Sequence, residues 1–556
     1  MTRPLPSTPR PYAGLLWLIV GLVWMSLVRV PLLENARDHL DSDLAVDGLT
    51  LLDAQNGHWR WHYPATPFVG TPPVLLSWVP ASLWGTTPTT LVAGGVIAWG
   101  LVIGATFVLN RWAFGASVAS WGLVPLAFAS TGLVWLSGRI TGGHLLAVAW
   151  HAGAFAGLWS ALTRGGWPRA LILGLWAGFG LYIDTMFAIT WVGLGVASVV
   201  AWWGARVGIA RGFVGLLAFA LGAGVGVAPR FIGQRVDPHN AYGDQFTPQI
   251  QPEILARNGK LLALDCLPRL AAGHRLPWLE SDPDPTSLPG GRKRIVATAE
   301  GFPWFELVVT VVGIGFFGRG LVALAVGRID FSREPDGSNK STQDEYPIDQ
   351  ARRAASRGVR WGLIVSSLAV VGGFLVAPNI TNSDNYRYLV FLVVPFSTGV
   401  GLWLAGLAGR GRFGLALAGA LALGFAGLMT ADSARWYARF GWVDASFRPI
   451  RKEVNDPTLA WLDDHREVTA ILGDYWDVYR LSFLTGGRVV AVGFPEYPNR
   501  FPENKLARRL GPVRVVIDRG GDFGPIYRAR ALALGGREIF QGDRLSIVEW
   551  PEGLRP

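Results

Sequence analysis

The stretch 34–73, ENARDHLDSDLAVDGLTLLDAQNGHWRWHYPATPFVGTPP, governs the reading of this chain. It begins where an apolar run, 12–33, ends, and it packs acids against a segment long enough to cross a bilayer. Charge is costly in lipid, so acids at such a boundary either solvate a surface or do chemistry. Leu40, Leu44, Leu51 and Leu52 recur at helical spacing, which sets Asp43 and Asp47 four apart on a neighbouring face, with Asp41 just before them. That spacing fits two acids turned toward one cleft. It fits equally an acidic helix N-terminus stabilised by the helix dipole.

Outward from this loop the chain is apolar. Half of the 556 residues are hydrophobic, 16% are charged, and the mean hydropathy is +0.31. Apolar runs fall at 12–33, 89–110, 117–137, 144–163, 168–183, 185–204, 212–229, 304–326, 359–378, 388–408 and 413–431, about eleven spans of a multi-pass membrane protein. The first run is too long for a signal-peptide core and lacks a small-residue cleavage site, so it is expected to stay as the first span. The formal net charge of +10 reflects arginines in short links (Arg111, Arg164 with Arg169, Arg206 with Arg211, Arg410 with Arg412) and in the stretch 328–360. With the N-terminus inside, all of these lie inside, as the positive-inside rule requires. The basic balance therefore reports topology and gives no reason to expect nucleic acid. One cysteine, Cys266, excludes an internal disulfide and a cysteine metal cluster.

This count divides the chain into a transmembrane module, 1–431, and an outer-face soluble α/β domain, 432–556. The module carries a first outer loop at 34–73, a second large, Pro-rich outer loop at 231–303 read as a functional or partly mobile flap, and an inner linker at 328–360 read as disordered. In the C-terminal part, Asp456 and Pro457 read as N-cap and first turn of a helix over LAWLDDH. VTAIL, VVAVGF, VRVVID and the hairpin-like REIFQGDRLSIVEW read as strands, with a helix over about 476–484.

Polar groups gather at the outer ends of several spans: Arg139, Thr141 and His144; Tyr182 and Asp184; Arg230; and Asp384, Tyr386, Arg387 and Tyr388. Each alone fits an interfacial anchor, and together they fit a cleft. His58 and His62 are four apart but flank Trp59 and Trp61, with no partner at ligand spacing. No metal ligand set is assigned, although Asp41 and Asp43 could hold a divalent cation with outside help.

Four runs carry a family resemblance: DSDLAVDGLTLLDAQNGHWRWHYPATPFVGTPPVLLSW at 41–78, GLYIDTMF at 180–187, NYRYLVFLVVP at 385–395 and DYWDVYRLSFLTGGRVVAV at 474–492. With them the chain resembles the GT-C superfamily of membrane glycosyltransferases, near its protein O-mannosyltransferase and aminoarabinose-transferase branch. It departs from that branch in having Asp-Ser-Asp for the usual Asp-Glu or Glu-Asp, and Thr71 where a Lys often precedes the Pro pair.

The resemblance implies a cell-envelope enzyme of the plasma membrane, working on its outer side. Its donor would be a polyprenyl-phosphate monosaccharide, its acceptor a hydroxyl of a protein, lipid or glycan, and transfer would invert the anomeric centre. Asp43, with Asp41 second, is the expected base, and Arg387, Arg139 and Arg230 the expected partners of the donor phosphate. Asp47, His58, His62, His144, Tyr182, Asp184 and Tyr388 are expected to line the substrates. The chemistry is self-consistent: phosphate is a stable leaving group, so one carboxylate base within reach of the acceptor suffices, with a cation on the departing charge. Arginine suits that task because its planar fork donates two bonds at once. A transporter or flippase for lipid-linked sugars would place acids mid-span or pair broken helices across repeats, neither of which is evident. A noncatalytic scaffold binding envelope partners is the remaining alternative.

Overall fold

The computed structural model describes residues 13–37, 40–205, 209–236, 247–276, 304–327, 345–440, 452–494, 499–501, 503–504, 512–519, 524–542 and 545–550. It is mostly helical, and its first helix, α1 (Ala13–Glu34), leaves Leu15, Leu16, Trp17, Ile19 and Val20 exposed, as a rod facing hydrocarbon does. The first loop is built, not extended. Asp41 caps α2 (Ser42–Gln55), its Oδ1 accepting the Leu44 N–H at 2.8 Å, so Asp43 stands in the first turn where the helix dipole favours a carboxylate. An antiparallel pair, β1 (His62–Tyr63) and β2 (Thr66–Gly70), and the short α3 (Trp78–Trp84) lead to α4 (Pro88–Phe114). A capping box between Thr87 and Thr90 opens α4.

The apolar run 117–137 is not one span. It forms α5 (Ala116–Gly122), α6 (Val124–Ala127) and α7 (Thr131–Leu136). Pro125 suits the first turn of a new helix and not the interior of an old one, and Ser130 restarts the chain by accepting the Leu133 N–H on its hydroxyl. Then follow α8 (Leu145–Arg164), α9 (Trp167–Ile183), α10 (Ala188–Ala205) and α11 (Ile209–Val236). α9 and α11 pack backbone to backbone: a Cβ at Gly174 or Gly178 would lie 2.0 or 2.2 Å from the carbonyl oxygen of Phe219 or Ala223. Small residues at such a seam replace the hydrophobic drive that lipid cannot supply.

The described part of the second loop packs as structure and does not form a flap. It holds α12 (Pro252–Leu261), a π turn at Leu262–Cys266 with Cys266 buried, and α13 (Leu267–Ala272). Asn258 donates to the carbonyls of Phe374, Leu375 and Ala377, and buried Arg269 pairs with Asp384 at 3.0 Å. The remaining membrane helices are α14 (Trp304–Val326), α15 (Glu345–Val376), α16 (Val393–Ala408), reached through a 3-10 segment Ser383–Leu392, and α17 (Arg412–Phe440). Two expectations change here. Residues 345–360, read as disordered linker, belong to α15, where Arg360 donates to the Leu324 and Gly327 carbonyls; 328–344 lie outside the described residues. Residues 432–440, assigned to the soluble part, continue α17.

Among the described residues, nine helices are long and apolar enough to cross a membrane, against about eleven expected. The difference is the broken run 117–137 and α9, which has 17 residues. The chain is an integral, multi-pass membrane protein.

After α17, α18 (Lys452–Asp464) starts earlier than the Asp456-Pro457 cap and carries Pro457 inside it. A five-stranded sheet follows, from β3 (Ala470–Gly473), β4 (Val490–Gly493), β5 (Val513–Asp518), β6 (Arg537–Gln541) and β7 (Leu545–Trp550), in the order β4-β3-β5-β7-β6. β4, β3 and β5 are parallel, and β7 runs antiparallel to β5 and β6. Helix α19 (Tyr475–Leu484) crosses from β3 to β4, and α20 (Gly524–Ala533) precedes β6. α19 lies on α2 so closely that a Cβ at Gly48 would fall 2.2 Å from the Phe483 ring. The C-terminal ends of the parallel strands, the usual place for a ligand in an α/β sheet, therefore meet the first loop.

Candidate active site

Asp43 is the point where the membrane helices, the first loop and the sheet meet. Its Oδ1 accepts the Tyr475 hydroxyl at 2.6 Å and lies 3.5 Å from Nη2 of Arg500, while its main-chain carbonyl accepts the Tyr63 hydroxyl at 2.9 Å. Asp474 follows β3 directly and caps α19 by accepting the Trp476 N–H, which delivers Tyr475 to this spot; Ser42 fixes it by donating to the Tyr475 carbonyl at 2.7 Å. Arg500 follows β4. Its Nε donates to the Tyr475 hydroxyl at 3.1 Å, Nη1 to Thr66, and its backbone N–H to the Tyr479 hydroxyl at 2.8 Å. Burial raises the Asp43 pKa, but Arg500, Arg387, the Tyr475 hydrogen bond and Arg139 together outweigh it and hold the carboxyl below its ordinary value. Burial and the nearby carboxylate push the Tyr475 hydroxyl well above the ordinary tyrosine value, so it stays a donor.

The other two acids of the motif have different surroundings. Asp41 is occupied twice, as the cap of α2 through Oδ1 and as the ion-pair partner of Arg139 through Oδ2. Asp47 is 2% exposed and accepts the Thr141 hydroxyl at 2.5 Å. Burial, with Asp43 and Asp41 adding like charge against the Thr141 hydrogen bond, pushes its pKa up to about 8. One helix turn thus separates an acid whose pKa is lowered from one whose pKa is raised.

Of the three arginines expected at a phosphate, Arg139 is held by Asp41 and stacks over Trp135 at 5.0 Å. Arg230 donates weakly to the Leu181 carbonyl at 3.4 Å, on the Asp184 side. Arg387 is the open one. It acts on Asp43 through charge and reaches the Tyr388 hydroxyl at 3.4 Å, and its buried Nε has no hydrogen-bond partner among the described residues.

Tyr388 links this cluster to a second one. Its ring lies 5.5 Å from that of His144, whose Nδ1 is 2.5 Å from Oδ2 of Asp184. His144 caps α8 with φ +53°, a left-handed conformation that costs a residue with a side chain about 1 kcal/mol. Asp184 also accepts the Met186 N–H at 2.8 Å and bridges to Val69. Tyr182 donates to the Trp61 carbonyl at 2.8 Å and lies 3.4 Å from the Thr71 hydroxyl. His62 is buried against α11, where a Cβ at Gly233 would meet its Nε2 at 2.5 Å. His58 is not brought in: it is exposed beyond the end of α2, its backbone N–H on the Asp53 carbonyl.

Among the described residues no three His, Cys, Asp or Glu side chains gather at a metal-binding distance. Asp41 and Asp43, the pair that could hold a divalent cation, each face a guanidinium, so the residues present do not fit that ion without displacing Arg139 or Arg500. The partners missed from sequence are Tyr475 and Arg500. Tyr475 is the second residue of the motif run at 474–492; nothing local marks Arg500.

The architecture, a membrane bundle whose first loop meets a small α/β sheet, is the GT-C fold. It superposes on ArnT of Cupriavidus metallidurans in the apo state with a TM-score of 0.50 at 14% identity, covering 96% of this chain and 97% of that one. The same protein bound to undecaprenyl phosphate gives 0.49 at 15%, covering 96% and 97%. The oligosaccharyltransferase AglB of Archaeoglobus fulgidus, in complex with an inhibitory peptide and a dolichol-phosphate, gives 0.49 at 12%, covering 91% and 69%. No protein-family model and no curated protein matches the sequence.

Proposed function

We propose that the protein is a glycosyltransferase that moves a monosaccharide from a polyprenyl-phosphate donor to an acceptor hydroxyl on the outer face of the plasma membrane, with inversion and with Asp43 as base. The observation that carries this reading is the partly exposed Asp43 carboxylate within the charge field of Arg387, a half-buried guanidinium whose buried Nε has no partner among the described residues. A carboxyl held below its ordinary pKa carries no proton near neutral pH, so it has an oxygen open to accept one and none to give. The choice of Asp43 over Asp41 rests on availability, since both Asp41 oxygens already serve Leu44 and Arg139. The acceptor oxygen bonds the anomeric carbon as the bond to the phosphate oxygen breaks. The acceptor proton passes to Asp43, and the electron pair leaves with the phosphate, where Arg387 meets the developing charge.

The GT-C fold shared with apo ArnT supports the class of reaction, and ArnT is itself a protein solved with undecaprenyl phosphate. The sheet and α18–α20 are proposed to form the outer-face unit that handles the acceptor, and the orientation follows from the inner arginines.

The test is purified protein in lipid vesicles given a panel of radiolabelled polyprenyl-phosphate monosaccharides. Release of sugar or its transfer to an added hydroxyl acceptor is the expected result. Movement of intact donor across the bilayer with no bond broken would replace this reading with a transporter.

A further inference from the structure

We propose, resting on the reading of Asp43 as base, that the C-terminal unit completes the active site: Tyr475 and Arg500 are positioning residues that hold Asp43 by Oδ1 alone and turn Oδ2 to the acceptor hydroxyl. The geometry is one-sided. The Tyr475 hydroxyl at 2.6 Å and Arg500 Nη2 at 3.5 Å both address Oδ1, and Oδ2 accepts no hydrogen bond among the described residues. The carboxylate is 22% exposed, so an acceptor can reach its free side. Proton transfer then has a defined geometry: Oδ2 takes the acceptor proton as the acceptor oxygen attacks the anomeric carbon and the phosphate departs with the bonding pair.

Docking of the sheet on the membrane module does not require this contact. Phe483 of α19 packs on Gly48 of α2, Ser42 donates to the Tyr475 carbonyl, and Arg60 of the first loop pairs with Asp53 and, at 2.5 Å, with Glu503. Those contacts join the two parts. A carboxylate held by a buried tyrosine and an arginine adds little to a join already made, and it matters greatly to a base whose direction sets the reaction. Arg500 is in turn fixed on the Tyr479 hydroxyl and on Thr66, so the group that orients Asp43 is itself oriented.

The charged and titratable groups around Asp43 are Asp41 and Asp47 on its own helix, Tyr63 from the hairpin, Arg139 from the turn after α7, Arg387 from the 3-10 segment, and Tyr475 and Arg500 from the C-terminal unit. Arg387 and Arg139 stay in place when the last two are changed. A loss of the Oδ1 clamp therefore leaves Asp43 cationic company but raises its pKa.

The experiment is carbodiimide labelling of Asp43, read by mass spectrometry across pH, in the full chain in lipid nanodiscs, for wild type, Tyr475→Phe, Arg500→Gln and Arg500→Lys. Carbodiimide reacts with the protonated carboxyl, so the midpoint reports the ionisation of Asp43 without any donor or acceptor. Tyr475→Phe and Arg500→Gln should each raise the midpoint by about one pH unit, with Arg500→Lys restoring most of it. An unchanged midpoint in both Tyr475→Phe and Arg500→Gln, whatever their melting temperatures, would overturn the proposal. Because labelling needs no reaction, that failure is distinct from the failure of Asp43 as base, which is read from transfer by Asp43→Asn.

Discussion

The two clusters at the mouth of the bundle are built in opposite ways. Around Asp43 the partners come from far along the chain, Tyr475 432 residues on, and the carboxylate is held by hydrogen bonds and cations. Around His144 the hydrogen-bond partner, Asp184, comes from the end of the adjoining helix only 40 residues on, and the residue is held by a left-handed backbone as well. The first arrangement sets the charge of a group, and the second sets its position. Under the proposed function, the first is assigned the chemistry that needs an ionised base, and the second the shaping of a sugar or its phosphate.

Arg387 serves both clusters, through Asp43 and Tyr388, so its removal is the severest trial of that division. Arg387→Gln should lower kcat/KM for sugar transfer by about 100-fold, the scale of losing one preorganised donor to developing charge, with Arg387→Lys recovering only part of it. Equal rates in wild type and Arg387→Gln would move the phosphate to Arg230. The His144 cluster should respond less, by about tenfold on His144→Ala, through KM more than kcat. His144→Gly separates side chain from backbone: it loses the same imidazole but relieves the left-handed conformation, so it should be more stable than His144→Ala, by about 1 kcal/mol in thermal unfolding.

Asp47 should show the mildest change, in stability alone. Its pKa is raised to about 8 in the folded chain, so between the unfolded carboxyl value and pH 8 the folded state binds the extra proton. Stability from this group is full at low pH and is lost as pH rises toward 8. Asp47→Asn should flatten that decline and raise the melting temperature at pH 8 by a few degrees. An identical pH dependence in the variant would mean that Asp47 is ionised in place.

Much of this is legible in the sequence. The acidic loop announces itself by carboxylates beside a long apolar run, and VRVVID is a strand over the residues that its β-branched pattern marks. The run 117–137 reads as a single span because hydropathy does not register a helix restart at Pro125 and Ser130. The arginines and serines before Trp361 look like linker, yet Arg360 and Ser356 bond to α14 and to Trp159 of α8, as only tertiary contact could reveal. Within the site, Asp43 and Asp47 are marked by their helical spacing in the acidic loop, and Thr141, Arg387 and the His144–Asp184 pair by their places at span ends. Arg500 is not, because a lone arginine in an irregular segment has no period, and its partner Asp43 lies near the opposite end of the chain. His58 is drawn in by its spacing from His62, but the chain turns into β1 between them, and a helical interval has no meaning across that turn.

The division of labour within the acidic motif, Asp43 as base and Asp41 as structural cap, stands or falls on single-turnover sugar transfer. Asp43→Asn and Asp41→Asn are to be measured side by side with the donor that wild type uses. Asp43→Asn should lose about 1,000-fold, the scale of a missing general base, with the donor still bound. Asp41→Asn should lose much less, since asparagine also caps a helix. Transfer at the wild-type rate in Asp43→Asn, with Asp41→Asn inactive, would reverse the two roles.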